Sequence, residues 1–86
     1  MKYAVAVFRS KTEVFEFMDY MEENGVRCVT TGTPKEAKIG CGISAKFSFV
    51  FMNKARMILD NVPFNGFYAV YLTEEKSGRS VIRRIM

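Results

Sequence analysis

The residues of this chain best suited to chemistry surround Cys41. This cysteine lies between Gly40 and Gly42, and glycines leave a neighbouring thiol uncovered and let the backbone approach a partner closely. Lys35 and Lys38 come shortly before it, and positive charge favours the thiolate, which is the nucleophilic form of cysteine. The sequence therefore predicts a reactive thiol at Cys41. A second interpretation stays open, in which Cys41 is a small apolar residue that fills space beneath a loop.

Cys28, the other cysteine, has a different setting. It alternates with Val26 and Thr30 in a strand-like run, so these three side chains share one face. Because that face needs core residues, we expect the Cys28 thiol to be buried and inert. No secretory signal pattern follows Met1, so we expect a cytoplasmic protein in a reducing compartment. A disulfide between Cys28 and Cys41 is accordingly not expected.

The remaining composition argues against most enzyme chemistry. The chain contains no histidine, and so lacks the commonest general base and the commonest metal ligand. Two cysteines without histidine cannot complete an ordinary zinc site, and neither standard glycine-rich phosphate loop occurs. We therefore expect no metal and no organic cofactor, and these features favour a carrier or binding protein over an enzyme.

The size and charge of the chain define its organisation. Its 86 residues suffice for one domain with a single core, and its longest apolar runs have six residues where a bilayer span needs about 20. The net charge is +4, with the basic excess concentrated near the end of the chain. We expect a single domain over 1–73 and a basic hairpin strand or tail over 74–86. Four tail bases could contact phosphate or keep a sheet edge soluble: Lys76, Arg79, Arg83 and Arg84.

Patterns of apolar residues predict four strands and two helices. Ser10 and Glu13 form the capping-box pattern that begins a helix, and Gly25 suits the left-handed position that ends it. A second capping box, Thr33 to Glu36, predicts a short helical turn, and Pro63 follows the end of the second helix. The predicted elements are strands at 3–8, 26–31, 43–47 and 67–73, and helices at 11–24 and 50–61.

This order predicts an α+β protein with the ferredoxin-like βαββαβ arrangement. Two right-handed crossovers would place both helices on one face of a four-stranded antiparallel sheet. Residues 79–85 could add a further C-terminal edge strand. RNA-recognition domains share this fold, but they stack bases on aromatic residues of the third strand, and residues 42–47 lack the central ones. We therefore do not expect nucleic acid as a partner.

The motif around Cys41 resembles that of a known family. Thr33-Pro34-Lys35-Glu36, followed after four residues by Cys41-Gly42, resembles the signature of the selenium/sulfur carrier-like proteins, small bacterial domains of largely unassigned function. The resemblance covers about residues 3–72. The chain departs from the family at 49–52, where proline and acidic residues usually begin the second helix, and in the tail from Glu74. Three corners between elements also match: Phe8-Arg9-Ser10, Glu23-Asn24-Gly25-Val26 and Asn65-Gly66-Phe67-Tyr68.

The resemblance implies a carrier. Cys41 would hold sulfur or selenium as a persulfide or selenosulfide and pass it from a donor protein to an acceptor protein, without a cofactor. The supporting loop would consist of Gly32, Thr33, Pro34, Lys35, Lys38, Gly40 and Gly42.

The alternative is a non-catalytic interaction or regulatory module. In that case the helix-free face of the sheet would pair with a second copy, as a homodimer, or with another protein, and Cys41 would be incidental. Three aromatic residues lie outside the apolar stripes of the two predicted helices and suggest an apolar patch on the surface: Phe15, Tyr20 and Phe49. A membrane partner is not expected. Whether Cys41 can be alkylated in the folded protein separates the two interpretations.

Overall fold

The chain forms a five-stranded antiparallel sheet with two helices packed on one face. The computed structural model describes residues 1–39 and 41–86. The strand order across the sheet is β2-β3-β1-β4-β5. No helix in the described residues is long and apolar enough to cross a membrane. The elements are β1 (Lys2–Phe8), α1 (Lys11–Glu23), β2 (Val29–Gly32), β3 (Ile43–Ser48), α2 (Met52–Asn61), β4 (Phe67–Lys76) and β5 (Arg79–Arg84), with short 3-10 turns at Lys35–Ala37 and Phe49–Phe51.

The α+β class is confirmed, but the prediction of four strands is wrong by one. β4 continues past the expected end at residue 73, and Ser77 and Gly78 then turn the chain with φ angles of 48° and 77°. Positive φ at both central residues is typical of the two-residue turn whose twist matches a β-hairpin. The optional edge strand is therefore present as β5. Because this strand departs from the four-stranded pattern, the ferredoxin-like classification stays a prediction.

The second strand begins three residues later than predicted. The N–H groups of Gly25 and Val26 donate to Glu22 O and Met21 O, both at 2.9 Å, and Gly25 has a φ of 79°. This pattern is a Schellman motif, which satisfies the last carbonyls of a helix. Val26 is thus used to end α1 instead of pairing in the sheet, although its side chain is buried as expected.

The capping box at the start of α1 is only half formed. The Ser10 hydroxyl accepts from Glu13 N–H at 3.1 Å, as predicted. The Glu13 carboxylate accepts from the N–H of Gly66, also at 3.1 Å, and Arg9 N–H donates to Gly66 O at 2.7 Å. These bonds join the start of α1 to the turn before β4.

The start of the second helix also differs from the prediction. The spacing of Phe51, Ala55, Ile58, Leu59 and Val62 predicts a buried stripe on this helix, but Met52 is buried at its start and Phe51 is 36% exposed. The cause is the 3-10 turn at Phe49–Phe51, which winds three residues per turn and changes which side chain faces the sheet. The expected burial of Ala55 and Ile58 is confirmed.

Apolar packing occurs on both faces of the sheet. The main core lies between the sheet and the helices and is centred on Phe8, Phe17 and Phe47. The helix-free face carries a smaller cluster, in which Ala37 is fully buried against strands β1 and β4. The connection between β2 and β3 therefore folds back over the face that the sequence suggested was open. The strand residues of this smaller cluster are Val5, Val7, Ala69 and Tyr71.

Candidate functional site

Cys41 lies at the end of the loop that joins β2 to β3. Thr33 N–H donates to Gly42 O at 3.2 Å and closes the base of this loop. The Cys41 side chain is half-buried and packs against the main core. The thiol is partly covered by apolar neighbours, as in the space-filling interpretation, and partly accessible, as in the interpretation of a reactive thiol.

A chain of two hydroxyl groups fixes the backbone at Cys41. Thr33 Oγ1 donates to Cys41 O at 2.8 Å, and Thr33 Oγ1 and Ser44 Oγ are also 2.8 Å apart. The threonine hydroxyl has one proton, and a carbonyl can only accept, so Ser44 must be the donor in the second bond. Ser44 is fully buried. The sequence predicts that Thr33 caps a helical turn. Its hydroxyl instead bonds Cys41 O and Ser44 Oγ, and the turn that follows has no side-chain cap.

The Cys41 thiol donates a weak hydrogen bond within its own loop. Sγ lies 3.4 Å from the carbonyl oxygen of Ile43. This contact requires the thiol proton, because a thiolate would face the negative end of the carbonyl dipole. For Cys41 to act as a nucleophile, Sγ must therefore leave Ile43 O.

Cys28 is half-buried and also packs against the main core. Burial, followed by the negative charge of Glu22, raises the pKa of Cys28 to about 11 from an ordinary value of 9.0. Both causes disfavour the thiolate. Near neutral pH this residue is a protonated thiol, which agrees with the inert role predicted for it, although it is less buried than expected.

The two cysteines are far apart along the sheet. Cys28 precedes β2, whereas Cys41 lies beyond Thr33 at its other end. From Cys28 to Thr33 the chain is extended over five residues, which corresponds to roughly 16 Å along the sheet. A disulfide requires Cα atoms within about 7 Å, so the two thiols act independently. Among residues 1–39 and 41–86, no three His, Cys, Asp or Glu residues are grouped as a metal site would require.

The other predicted loop residues are dispersed around Cys41. Gly32 and Gly42 are exposed, and a Cβ added to either would meet nothing within 4 Å. Pro34 precedes the 3-10 turn, where Lys35 and Lys38 are exposed. Lys38 ends this turn with a left-handed φ of 54°. Within the described part of the chain, neither lysine hydrogen-bonds to Cys41 Sγ. Gly40 lies outside the described residues.

Sequence reasoning missed two contributors to this loop. Ser44 alternates with apolar neighbours in β3, a pattern that predicts an outward, solvated hydroxyl, and no spacing rule pairs it with Thr33. Ala37 resembles any small residue in a polar segment, yet it anchors the loop on the sheet. Neither residue carried a signal in the sequence, because each depends on how the loop folds back.

The comparisons with known proteins agree with the motif. A family model described as "Putative Se/S carrier protein-like" matches residues 2–69, which include both strands that flank the loop and Cys41 itself. No curated protein and no solved structure matches the chain. Since the matched segment covers most of the 86 residues, the chain belongs to the Se/S carrier-like family.

Proposed function

We propose that this protein carries sulfur or selenium on Cys41, between a donor protein and an acceptor protein of the reducing cytosol. The observation that carries the proposal is the pairing of family membership with a half-accessible cysteine at a loop end. Cys28 is the weaker candidate because its raised pKa keeps it protonated.

The transfer is a thiol exchange without net oxidation. The Cys41 thiol first loses its proton to solvent and leaves Ile43 O. The thiolate then attacks the outer sulfur of a donor persulfide, R–S–SH. The new Sγ–S bond forms as the donor's S–S bond breaks, and the donor leaves as a thiolate with the electron pair. Selenium follows the same course from R–S–SeH, and an acceptor thiolate or other nucleophile removes the outer atom in the second step.

Intact-mass measurement tests the carrier. Wild-type protein, Cys41→Ser and Cys28→Ser are treated with a low-molecular-weight persulfide. We expect wild type and Cys28→Ser to gain the mass of one sulfur atom and Cys41→Ser to gain none. Equal labelling of wild type and Cys41→Ser, or labelling of neither, would contradict the proposal.

The pH dependence of alkylation tests the assignment of the two thiols separately. With a pKa of about 11, Cys28 has a thiolate fraction of roughly 10⁻⁴ at pH 7, and its alkylation rate rises about tenfold per pH unit until that pKa. We expect Cys41 to react faster than Cys28 at neutral pH in the folded protein. Glu22→Gln removes a charge that raises the Cys28 pKa and should accelerate alkylation of Cys28 only. Faster reaction of Cys28 than of Cys41 at pH 7 would reverse the assignment.

For the interaction-module alternative, less of the helix-free face is open to a partner than the sequence suggested. The loop at Ala37 covers part of the helix-free face. The rest includes an open groove of about 400 Å³ lined by Tyr3, Val29 and Lys46, among others. Phe15 and Tyr20 are exposed on α1, whereas Phe49 is half-buried against the main core. Concentration-dependent association together with an unreactive Cys41 would favour this alternative.

A further inference from the structure

The two edge strands of the sheet differ in how they are protected against pairing with another chain. β5 carries arginine at three of its six positions, and charged side chains on an edge strand oppose the addition of a further strand. β2, at the other edge, has the sequence Val-Thr-Thr-Gly and contains no charged residue. Valine and threonine also favour strand pairing. β2 is therefore the edge that is open to a further strand.

The backbone of β2 has hydrogen-bonding groups that point away from the sheet. In an antiparallel pair, alternate residues direct both N–H and C=O to the partner strand. Thr33 N–H donates to Gly42 O, so Thr31, two residues earlier, also faces β3. Thr30 and Gly32 consequently direct their N–H and C=O groups outward, and within residues 1–39 and 41–86 no hydrogen bond reaches these groups. The edge thus offers two donors and two acceptors.

On the helix-free side, the surface beside β2 is positively charged. The groove of about 400 Å³ on this side is lined by Arg27, Val29 and Lys46, among others. Val29 is directly opposite Lys46 in the strand register and is 53% exposed, and Arg27 is exposed as well. Among residues 1–39 and 41–86, no carboxylate forms an ion pair with either cation. Acidic side chains of an added strand would be attracted to this side.

The helix side of the same edge presents different groups. Phe15 and Glu22 are two turns apart on one side of α1, and Phe15 is 47% exposed. Because the charge of Glu22 acts on Cys28, which directly precedes β2, this side of α1 faces the β2 edge. Phe15 offers apolar surface there, whereas Glu22 repels acidic side chains. A strand that alternates acidic and apolar residues therefore fits both sides of the edge.

A second copy of this chain does not meet these requirements. Two β2 strands would pair over only four residues, well short of the roughly 800 Å² per partner that a stable dimer buries. Each copy would also bring valine and threonine side chains, instead of carboxylates, to the cations of the groove. The short edge thus limits self-association and leaves backbone groups for a partner that associates transiently.

We propose that β2 binds an extended segment of another protein as a sixth strand, with acidic side chains toward Arg27 and Lys46 and apolar side chains toward Phe15. Hydrogen bonds to the outward groups of Thr30 and Gly32 hold the segment. The alternating side chains give specificity, as in other cases of strand addition to a sheet edge.

The docked segment reaches the candidate site. Gly32 ends β2, and the next residue, Thr33, donates its hydroxyl proton to Cys41 O. A strand that runs along β2 and past Gly32 therefore arrives beside the loop that carries Cys41. That the partner is the sulfur donor or acceptor rests on the proposed function, whereas docking at β2 does not.

Titration with two peptides tests the charge pattern. Blocked hexapeptides of sequence Glu-Val-Glu-Val-Glu-Val and Lys-Val-Lys-Val-Lys-Val are added at constant pH and ionic strength, and amide chemical shifts of the protein are followed. We expect saturable shifts at Thr30 and Gly32 with the acidic peptide, and about tenfold or more weaker binding of the basic peptide. Arg27→Gln should weaken binding of the acidic peptide about threefold. Arg83→Gln removes the same charge from the opposite edge and should change affinity less than about 1.5-fold.

A pair of substitutions tests the backbone contact. Thr30→Pro removes an outward N–H without removing a bond to β3, and proline is tolerated on edge strands in this orientation. We expect this variant to stay folded and to bind the acidic peptide about tenfold or more weakly. Thr30→Val keeps the N–H and the branched side chain and should change affinity less than about twofold. If Thr30→Pro misfolds, an acidic peptide with N-methylated amide groups decides, because it should not bind the wild-type protein.

Several outcomes would overturn the proposal: equal binding by Thr30→Pro and Thr30→Val, equal affinity for the two peptides, or shifts confined to other strands. Concentration-dependent shifts at Thr30 without peptide would also do so, because a second copy would then occupy the edge. Cys41→Ser should bind the acidic peptide as wild type does. Peptide binding without sulfur loading of the wild type would refute only the carrier, and sulfur loading without peptide binding would refute only the docking.

Discussion

Single hydroxyl groups determine how the loop at Cys41 is held. Ser44 donates to Thr33, and Thr33 donates to the Cys41 carbonyl. These two consecutive hydrogen bonds link a buried residue of β3 to the candidate site. Buried polar groups are stable only when they are paired, and every buried side-chain polar atom among residues 1–39 and 41–86 has a partner. The orientation of the Cys41 backbone is therefore coupled to two side chains that do no chemistry themselves.

Substitutions in this pair should give a non-additive result. Thr33→Val leaves the Ser44 hydroxyl buried without a partner and should cost about 1–3 kcal/mol, whereas Ser44→Ala leaves the bond to Cys41 O intact and should cost about 0.5–1.5 kcal/mol. The double variant should be more stable than Thr33→Val alone, because the orphaned hydroxyl is gone. Urea denaturation of the four proteins measures this, and simple additivity of the two effects would show that the two hydroxyl groups are not coupled.

At the scale of elements, the start of α1 is joined to the start of β4. The Glu13 carboxylate and the Arg9 amide group both bind Gly66, which has no side chain to occupy the space between them. A Cβ added at Gly66 would collide with a carboxylate oxygen of Glu13 and lie 3.4 Å from Arg9 Cβ. The glycine is thus needed for close approach, whereas its φ is not in the left-handed region.

We expect Gly66→Ala to lower the free energy of unfolding by about 1–2 kcal/mol, because Glu13 must move and its charged hydrogen bond is lost. In a Glu13→Ala background the same change should cost much less. Gly42→Ala is the matched control: its Cβ meets open space, so it should be neutral or stabilise by about 0.5 kcal/mol through the unfolded state. Thermal or urea unfolding gives the comparison, and equal effects at the two glycines would refute the packing argument.

Across the whole molecule, the loop between β2 and β3 gives the sheet a second apolar layer. Ala37 is fully buried on the helix-free face, with Ile39 and Tyr68 packed beside the same cluster. This layer is thin, but it removes part of an exposed sheet face from water. It also connects the loop that carries Cys41 to strands β1 and β4.

Ala37→Asp should release this loop from the sheet. An unpaired carboxylate at a fully buried position should cost about 2–3 kcal/mol, and the loop can avoid that cost only by lifting into solvent. Hydrogen exchange at β1 and β4 should then increase, and Cys41 should be alkylated faster. Lys35→Asp introduces the same residue at an exposed position of the same turn and should change stability by less than about 0.5 kcal/mol. Unchanged exchange in Ala37→Asp would show that the loop does not depend on this anchor.

The sequence alone determined most elements and the family. Local patterns are sufficient for α1, because a cap, a stripe of apolar residues and Gly25 all act within a few residues of one another. The alternation of Ile43, Ala45 and Phe47 likewise determined β3. The family motif identified Cys41 and Thr33, and the strand context of Cys28 already indicated an inert thiol.

Only the tertiary structure decided how these parts meet. The partners of Thr33 and Glu13, namely Ser44 and Gly66, lie 11 and 53 residues away along the chain, and no local rule relates residues at such separations. The late start of β2 follows from competition between the helix end and the sheet for one N–H group, that of Val26. The burial of Ala37 depends on which strands become neighbours. That choice is made by packing of the whole chain, since each strand can pair with any other until the core selects one order.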